Sequence, residues 1–115
     1  MPVLNITTNS PFPPEDREAK LTHLSRSLAT LLGKPEGYVM VRVTPDAALV
    51  FAGTAQPAAY AELKSLGLPE DQTGAYSAAL CQLISQTLGV PPGRTYIEFS
   101  SPPRHLFGWN ESTFG

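Results

Sequence analysis

Residue 2 carries the most chemistry. Removal of the initiator methionine is common when the next residue is small, and Pro2 qualifies. The mature chain is then expected to begin with a free proline, whose ring nitrogen is a secondary amine, basic and nucleophilic. An α-amino group titrates near ~8 in water, and desolvation or a neighbouring cation lowers that value. A base poised near ~7 suits proton abstraction at neutral pH. Lys34, set between Gly33 and Pro35, is the second candidate. From a stiff loop it can bind a carboxylate and depress the pKa of a nearby amine. Five aromatics, Tyr38, Tyr96, Phe107, Trp109 and Phe114, read either as core or as a pocket wall. Their concentration in a tail without helical pattern favours a pocket or an interface.

Other chemistries are closed off. A single cysteine, Cys81, excludes an intrachain disulfide, a Cys-x-x-Cys redox pair and a cysteine-based zinc site. No cation or base stands near Cys81 in sequence, so it reads as a small buried apolar residue. His23 and His105 are far apart, and no carboxylate spacing completes a metal site with either. His23 falls off the apolar stripe of its helix and reads as solvated, while His105 neighbours the aromatic tail. Eight Lys+Arg against ten Asp+Glu leave a net charge of −2. Neither nucleic acid nor an anionic membrane is an expected partner, since both require a basic field. The N-terminus lacks a signal peptide pattern, and no apolar run approaches the ~20 residues of a membrane span. A cytoplasmic location is the expectation.

The elements that must position these residues are written twice. Leu32-Gly33-Lys34-Pro35-Glu36-Gly37 is echoed by Leu88-Gly89-Val90-Pro91-Pro92-Gly93, about half a chain later. A helical pattern precedes each copy: Leu21, Leu24, Leu28, Leu31 and Leu32 in the first, Tyr76, Ala79, Leu80, Leu83, Ile84 and Leu88 in the second. Gly33 and Gly89 sit where a helix C-cap needs φ > 0, and the prolines that follow stop the helix resuming. Glu15, Asp16 and Glu18 crowd the first turn of helix one, which suits its dipole. An apolar β-rich run follows each copy, Tyr38 to Val43 and Arg94 to Phe99.

Val3 to Thr7 opens the first half as a strand, and Ala48 to Phe51 reads as a hairpin return. Ala58 to Leu66 has helical propensity, but the repeat makes it the opening strand of the second half; tertiary context overrides propensity. The expectation is one α+β domain over residues 1–115, a tandem β-α-β repeat with halves near 1–57 and 58–115. Its four-stranded mixed sheet carries both helices on one face, plus short extra strands. Val39, Val41 and Val43, with Met40, Tyr96 and Phe99, suggest that both sheet faces are partly apolar. Self-association would cover such an open face and the sheet edges.

Met1-Pro2, Thr8-Asn9 with Pro11, Gly33-Lys34-Pro35 with Tyr38, Pro45-Asp46 and Ser65-Leu66-Gly67 follow one another in a particular order. Tyr76-Ser77, Leu80-Cys81, Arg94 with Tyr96-Ile97, and the tail Gly108-Trp109-Asn110 with Ser112-Thr113-Phe114 continue it. In that order and spacing the chain resembles, nearly end to end, the macrophage migration inhibitory factor family of the tautomerase superfamily. The resemblance implies a homotrimer with sheets facing the threefold axis. It implies keto–enol tautomerisation of phenylpyruvate-like α-keto acids without metal or cofactor. Pro2 matches the catalytic proline. Lys34, Ser65, Leu66, Tyr38, Tyr96, Glu98, Phe107, Trp109 and Phe114 match the substrate-binding positions, with Tyr96 supplied by the neighbouring chain.

Several positions depart from the better-known animal members. Ala58-Ala59-Tyr60-Ala61 stands where they carry Cys-x-x-Cys, so thiol-oxidoreductase activity is not expected. Lys64 replaces a histidine, Phe107 a valine, and Glu98 an asparagine that faces the ring substituent of the substrate. Two other readings follow from the same resemblance: a non-catalytic trimer that signals to a host receptor, and another small-acid reaction of the superfamily. The second usually needs pocket arginines, for which only Arg42 and Arg104 are candidates.

Overall fold

The computed structural model describes residues 1–115. Four strands form the main sheet: β1 (Pro2–Thr8), β2 (Met40–Thr44), β3 (Ala59–Ser65) and β4 (Thr95–Ser100). Two helices, α1 (Pro14–Leu32) and α2 (Thr73–Leu88), link β1 to β2 and β3 to β4. Strand order is β2-β1-β3-β4; β1 is parallel to β2, β3 parallel to β4, and β1 antiparallel to β3. Two β-α-β units therefore meet back to back along the β1–β3 seam, and β2 and β4 are the free edges.

Local sequence explains the helix boundaries. Pro14 occupies the first turn of α1, where a missing N–H costs nothing, and Glu15 and Asp16 face the positive end of the dipole. Gly33 closes α1 at φ 63° and Gly89 closes α2 at φ 71°. In that left-handed geometry a Cβ is strained, which is why the repeat places glycine at both ends. Lys34 N–H then donates to the Ala29 carbonyl at 3.0 Å, so the turn that carries the lysine is pinned to the helix end.

Leu24 and Leu28 of α1 and Tyr76, Leu80, Ile84 and Leu88 of α2 are buried, facing Leu4, Ile6, Ala61 and Leu63 of the sheet. Fully burying each large apolar side chain contributes about 1.5–3 kcal/mol, so this layer drives the fold. Both helices cover the same sheet face, as expected. The segment Ala59–Ser65 is a strand despite its helical propensity, because alternation puts Ala59, Ala61 and Leu63 into the core.

Four details differ from expectation. Ala48 to Phe51 forms no strand; only a Phe51–Thr54 bridge survives there. The backbone between Leu49 and Pro57 is held by side chains instead of a ladder. Asn9 Nδ2 donates to the Leu49, Ala55 and Gln56 carbonyls, and Arg94 to those of Thr54, Gln56 and Pro57. Tyr38 precedes its strand, in a 3-10 turn over Glu36–Tyr38, and Arg94 ends a matching turn over Pro92–Arg94. The uncovered face is more polar than the alternation suggested. Val39, Val41 and Val43 pack against the core, while register brings Asn5, Arg42, Glu62 and Glu98 into one row across the open face. Cys81 is half-buried, not buried.

Candidate active site

Pro2 begins β1 and its side chain is fully buried. Met1 lies beyond it at the mouth of a cleft of about 230 Å³ between the start of β2 and the C-terminal tail. One wall is Tyr38, Val39 and Met40; the other is Phe107, Gly108, Trp109 and Phe114, with Val3 between them. The tail holds its wall through a hairpin, β5 (Gly108–Trp109) against β6 (Ser112–Thr113), and through Phe114 N–H donating to the Phe107 carbonyl at 3.1 Å. Phe114 is the hub of the aromatic group. It stacks on Trp109 at 5.8 Å between centroids and meets Tyr38 edge-on at 6.1 Å and Phe107 at 6.2 Å. Tyr38 meets Trp109 edge-on at 5.6 Å. Such pairs hold planar walls with few rotamers, a good surface for a flat ring.

The electrostatics at the cleft mouth are one-sided. Burial first, then the positive charges of Lys34 and Arg104, hold the Met1 amine below its ordinary value of 8.0. Desolvation and like charge both disfavour an ammonium, so they act in the same direction. Neither cation has a counter-ion, since the one ion pair in the chain joins Lys20 to Asp16 at 3.3 Å. The site is therefore an apolar slot with uncompensated positive charge beside an amine biased toward its neutral form. It suits a small planar anion that must give up or receive a proton.

Tyr96 and Glu98 lie elsewhere in this chain. Both are on β4, the edge opposite the cleft, three strands away from β2. Tyr96 packs edge-on against Phe51 at 4.8 Å, and Glu98 accepts the Tyr60 hydroxyl at 2.7 Å. Ser65 ends β3 directly across from Pro2 and Leu66 follows it, both buried. His23 is exposed on α1, and His105 is exposed in the turn before the tail, outside the cleft.

The family model for macrophage migration inhibitory factor (MIF) matches residues 1–115. The MIF of Rattus norvegicus is 38% identical over 115 residues, covering 99% of each chain. The chain belongs to the macrophage migration inhibitory factor family. A MIF homolog of Trichuris trichiura is 35% identical over 116 residues, covering 99% of this chain and 100% of that one. Among solved structures, a MIF homologue from Prochlorococcus marinus is 41% identical with a TM-score of 0.92, covering 98% of this chain and 99% of that one. The Trichinella spiralis MIF is 31% identical with a TM-score of 0.88, covering 97% and 99%. The β-α-β pairs described above are thus the MIF tautomerase fold.

Within this MIF-family chain, Pro2, Lys34, Tyr38, Phe107, Trp109, Phe114, Ser65 and Leu66 gather around one end of β1. Val3 and Met40, register partners across β1 and β2, floor the cleft and are not among the site residues expected from the sequence. Alternation sets both opposite Leu4 and Val41, but only the strand register brings the two together beneath the tail. Tyr60, the partner of Glu98, was likewise hidden, because nothing in the spacing of residues 60 and 98 announces their contact.

Proposed function

We propose that the chain is a cofactor-independent keto–enol tautomerase acting on phenylpyruvate-like α-keto acids, with Pro2 as the proton carrier after loss of Met1. One observation carries the reading: the chain-terminal amine lies at the mouth of an aromatic cleft, held toward its neutral form by burial, Lys34 and Arg104. Once Met1 is removed, the same surroundings act on the Pro2 nitrogen, one residue further in. The nitrogen takes a proton from C3 of the substrate. The C3–H electron pair moves into the C2–C3 bond, and the carbonyl oxygen gains negative charge that a proton then quenches. Lys34 anchors the carboxylate and stabilises the charge that develops beside it. Leu66 supports the oxygen through its backbone N–H. Tyr38, Phe107, Trp109 and Phe114 enclose the aryl end and exclude water. An acidified C–H beside a carbonyl needs only a base and charge stabilisation.

The location of Tyr96 and Glu98 supports a ring of identical chains. They join the cleft only if the β4 edge of one copy lies against the β2 edge of the next. That head-to-tail contact closes into a ring when its rotation permits, and three copies are proposed. Val50, 70% exposed in a loop without a strand partner, suits burial against such a neighbour. The test is ketonisation of phenylpyruvate enol by protein of verified mass. Protein with Met1 removed turns over, and protein with Met1 retained does not, because an amide nitrogen has no usable lone pair. Equal rates for the two forms would overturn the proposal.

A further inference from the structure

Ser65 ends β3 and is the register partner of Pro2 across the antiparallel β1–β3 pair. Both residues belong to the buried, helix-covered set of their strands. Ser65 is 1% exposed, yet its Oγ has no hydrogen-bond partner. A buried hydroxyl without a partner is destabilising, and folded proteins rarely keep one without cause. The nitrogen across the seam supplies a cause. While Met1 is attached, the Pro2 nitrogen is a tertiary amide, with no N–H and with its lone pair delocalised into the Met1 carbonyl. Removal of Met1 turns it into a secondary amine with one N–H and one free lone pair. The hydroxyl that lacks a partner then faces the strand position where one is created.

We propose that Ser65 is the positioning residue for Pro2: its Oγ accepts the N–H of the freed ring nitrogen and so leaves the lone pair directed into the aromatic cleft. This rests on the reading of Pro2 as the mature terminus and proton carrier. During turnover the C3–H bond of the substrate breaks and a second N–H forms on Pro2. One N–H stays on Ser65 while the other is free to pass its proton to the substrate oxygen, so the nitrogen returns to its starting state. A fixed lone pair is worth rate because orientation removes an entropic part of the barrier.

The charged groups that act on the Met1 amine are Lys34 from the exit of α1 and Arg104 from the turn before the tail, and both oppose protonation there. The Pro2 nitrogen, one residue further in, is expected to meet the same two cations once Met1 is removed. Lys64 neighbours Ser65 in sequence but lies on the opposite sheet face, with Glu62. Ser65, as an acceptor, bonds the protonated amine more strongly than the neutral one. It therefore raises the pKa against the two cations.

The experiment is a pH titration of the Pro2 nitrogen by NMR in protein labelled with ¹⁵N-proline, for wild type, Ser65→Ala and Ser65→Thr, all with Met1 removed. Ser65→Ala is expected to move the midpoint down by roughly 0.5–1 pH unit, and Ser65→Thr, which keeps the hydroxyl, to restore it. On phenylpyruvate, Ser65→Ala is expected to lower kcat about tenfold with KM little changed. Thermal melts add a second arm. Ser65→Ala lowers Tm in the Met1-free protein and leaves it unchanged or higher in the Met1-retaining protein, where no contact exists to lose. An unmoved midpoint, or the same change of Tm in both forms, overturns the assignment. A midpoint that moves in protein without ketonisation activity upholds the Ser65 contact and rejects the catalytic reading instead.

Discussion

Tyr60 donates its hydroxyl hydrogen to Glu98 Oε2 at 2.7 Å across the β3–β4 pair. That bond, then burial, then the charges of Glu98 and Glu62, push the Tyr60 ionisation up to about 12 from 10.0. The neutral phenol is the form that the fold favours. Its stabilising effect is fully present below the unfolded value of 10.0 and is lost as pH rises through about 12. Glu98→Gln removes the charged acceptor and is expected to return the Tyr60 midpoint toward 10.0. Spectrophotometric titration with Tyr60→Phe as the reference checks it; a midpoint that stays near 12 in Glu98→Gln assigns the shift to something else.

The two cations at the cleft predict the acidic limb of the rate profile. A base works only when unprotonated, so activity should rise with pH through a midpoint below the ordinary 8.0 of a terminal amine. Lys34→Ala removes a positive charge and moves that midpoint to higher pH. It also raises KM about tenfold or more through loss of the carboxylate anchor. Arg104→Ala moves the midpoint in the same direction by less, because its effect on the amine ranks below that of Lys34. A midpoint that falls in either variant contradicts the electrostatic account.

The β5–β6 hairpin turns through Asn110 at φ 52° and Glu111 at φ 64°. Two successive positive φ angles define the turn for which Asn-Gly is preferred, and a glutamate at the second is strained. Glu111→Gly is expected to stabilise the chain by about 0.5 kcal/mol, read as a rise in the denaturant midpoint. Glu111 does not line the cleft, so kcat and KM should hold. A lower midpoint would show that the Glu111 side chain does more than occupy the turn.

Asn9 holds the loop between β2 and β3. Its Nδ2 reaches three loop carbonyls, the nearest being Gln56 at 3.0 Å, and its Oδ1 accepts from Ala58 N–H at 2.9 Å. Asn9→Ala leaves those groups unpaired where β3 begins. The expected cost is about 2–3 kcal/mol in urea unfolding. Asn9→Asp keeps the acceptor and loses the donors, so it should fall between the two. An Asn9→Ala protein as stable as wild type would show that water replaces the side chain.

What could be read before folding was local. The glycines at 33 and 89, the prolines after them and the leucine spacing between residues 21 and 32 each act within a few residues. Chain chemistry alone therefore determined the helices, their ends and the repeated β-α-β order. Ala59–Ser65 was legible only because the repeat demanded a strand there, as alanine-rich sequence carries little strand preference of its own. Pro2 and Lys34 stood out by residue type and context. Ala48–Phe51 forms no hairpin strand, and the side chains that hold the surrounding loop come from far away in sequence: Asn9 takes the Leu49 carbonyl and Arg94 the Thr54 carbonyl, each 40 residues off. The tertiary structure decided which face each strand residue occupies. It put Val3 and Met40 under the cleft, Tyr60 on Glu98, and Tyr96 and Glu98 on the far edge of the sheet. It also placed the unpaired Ser65 hydroxyl opposite Pro2. Register is a property of strand pairing, and a shift of one residue would move every side chain to the other face. No pattern along a single strand contains that information.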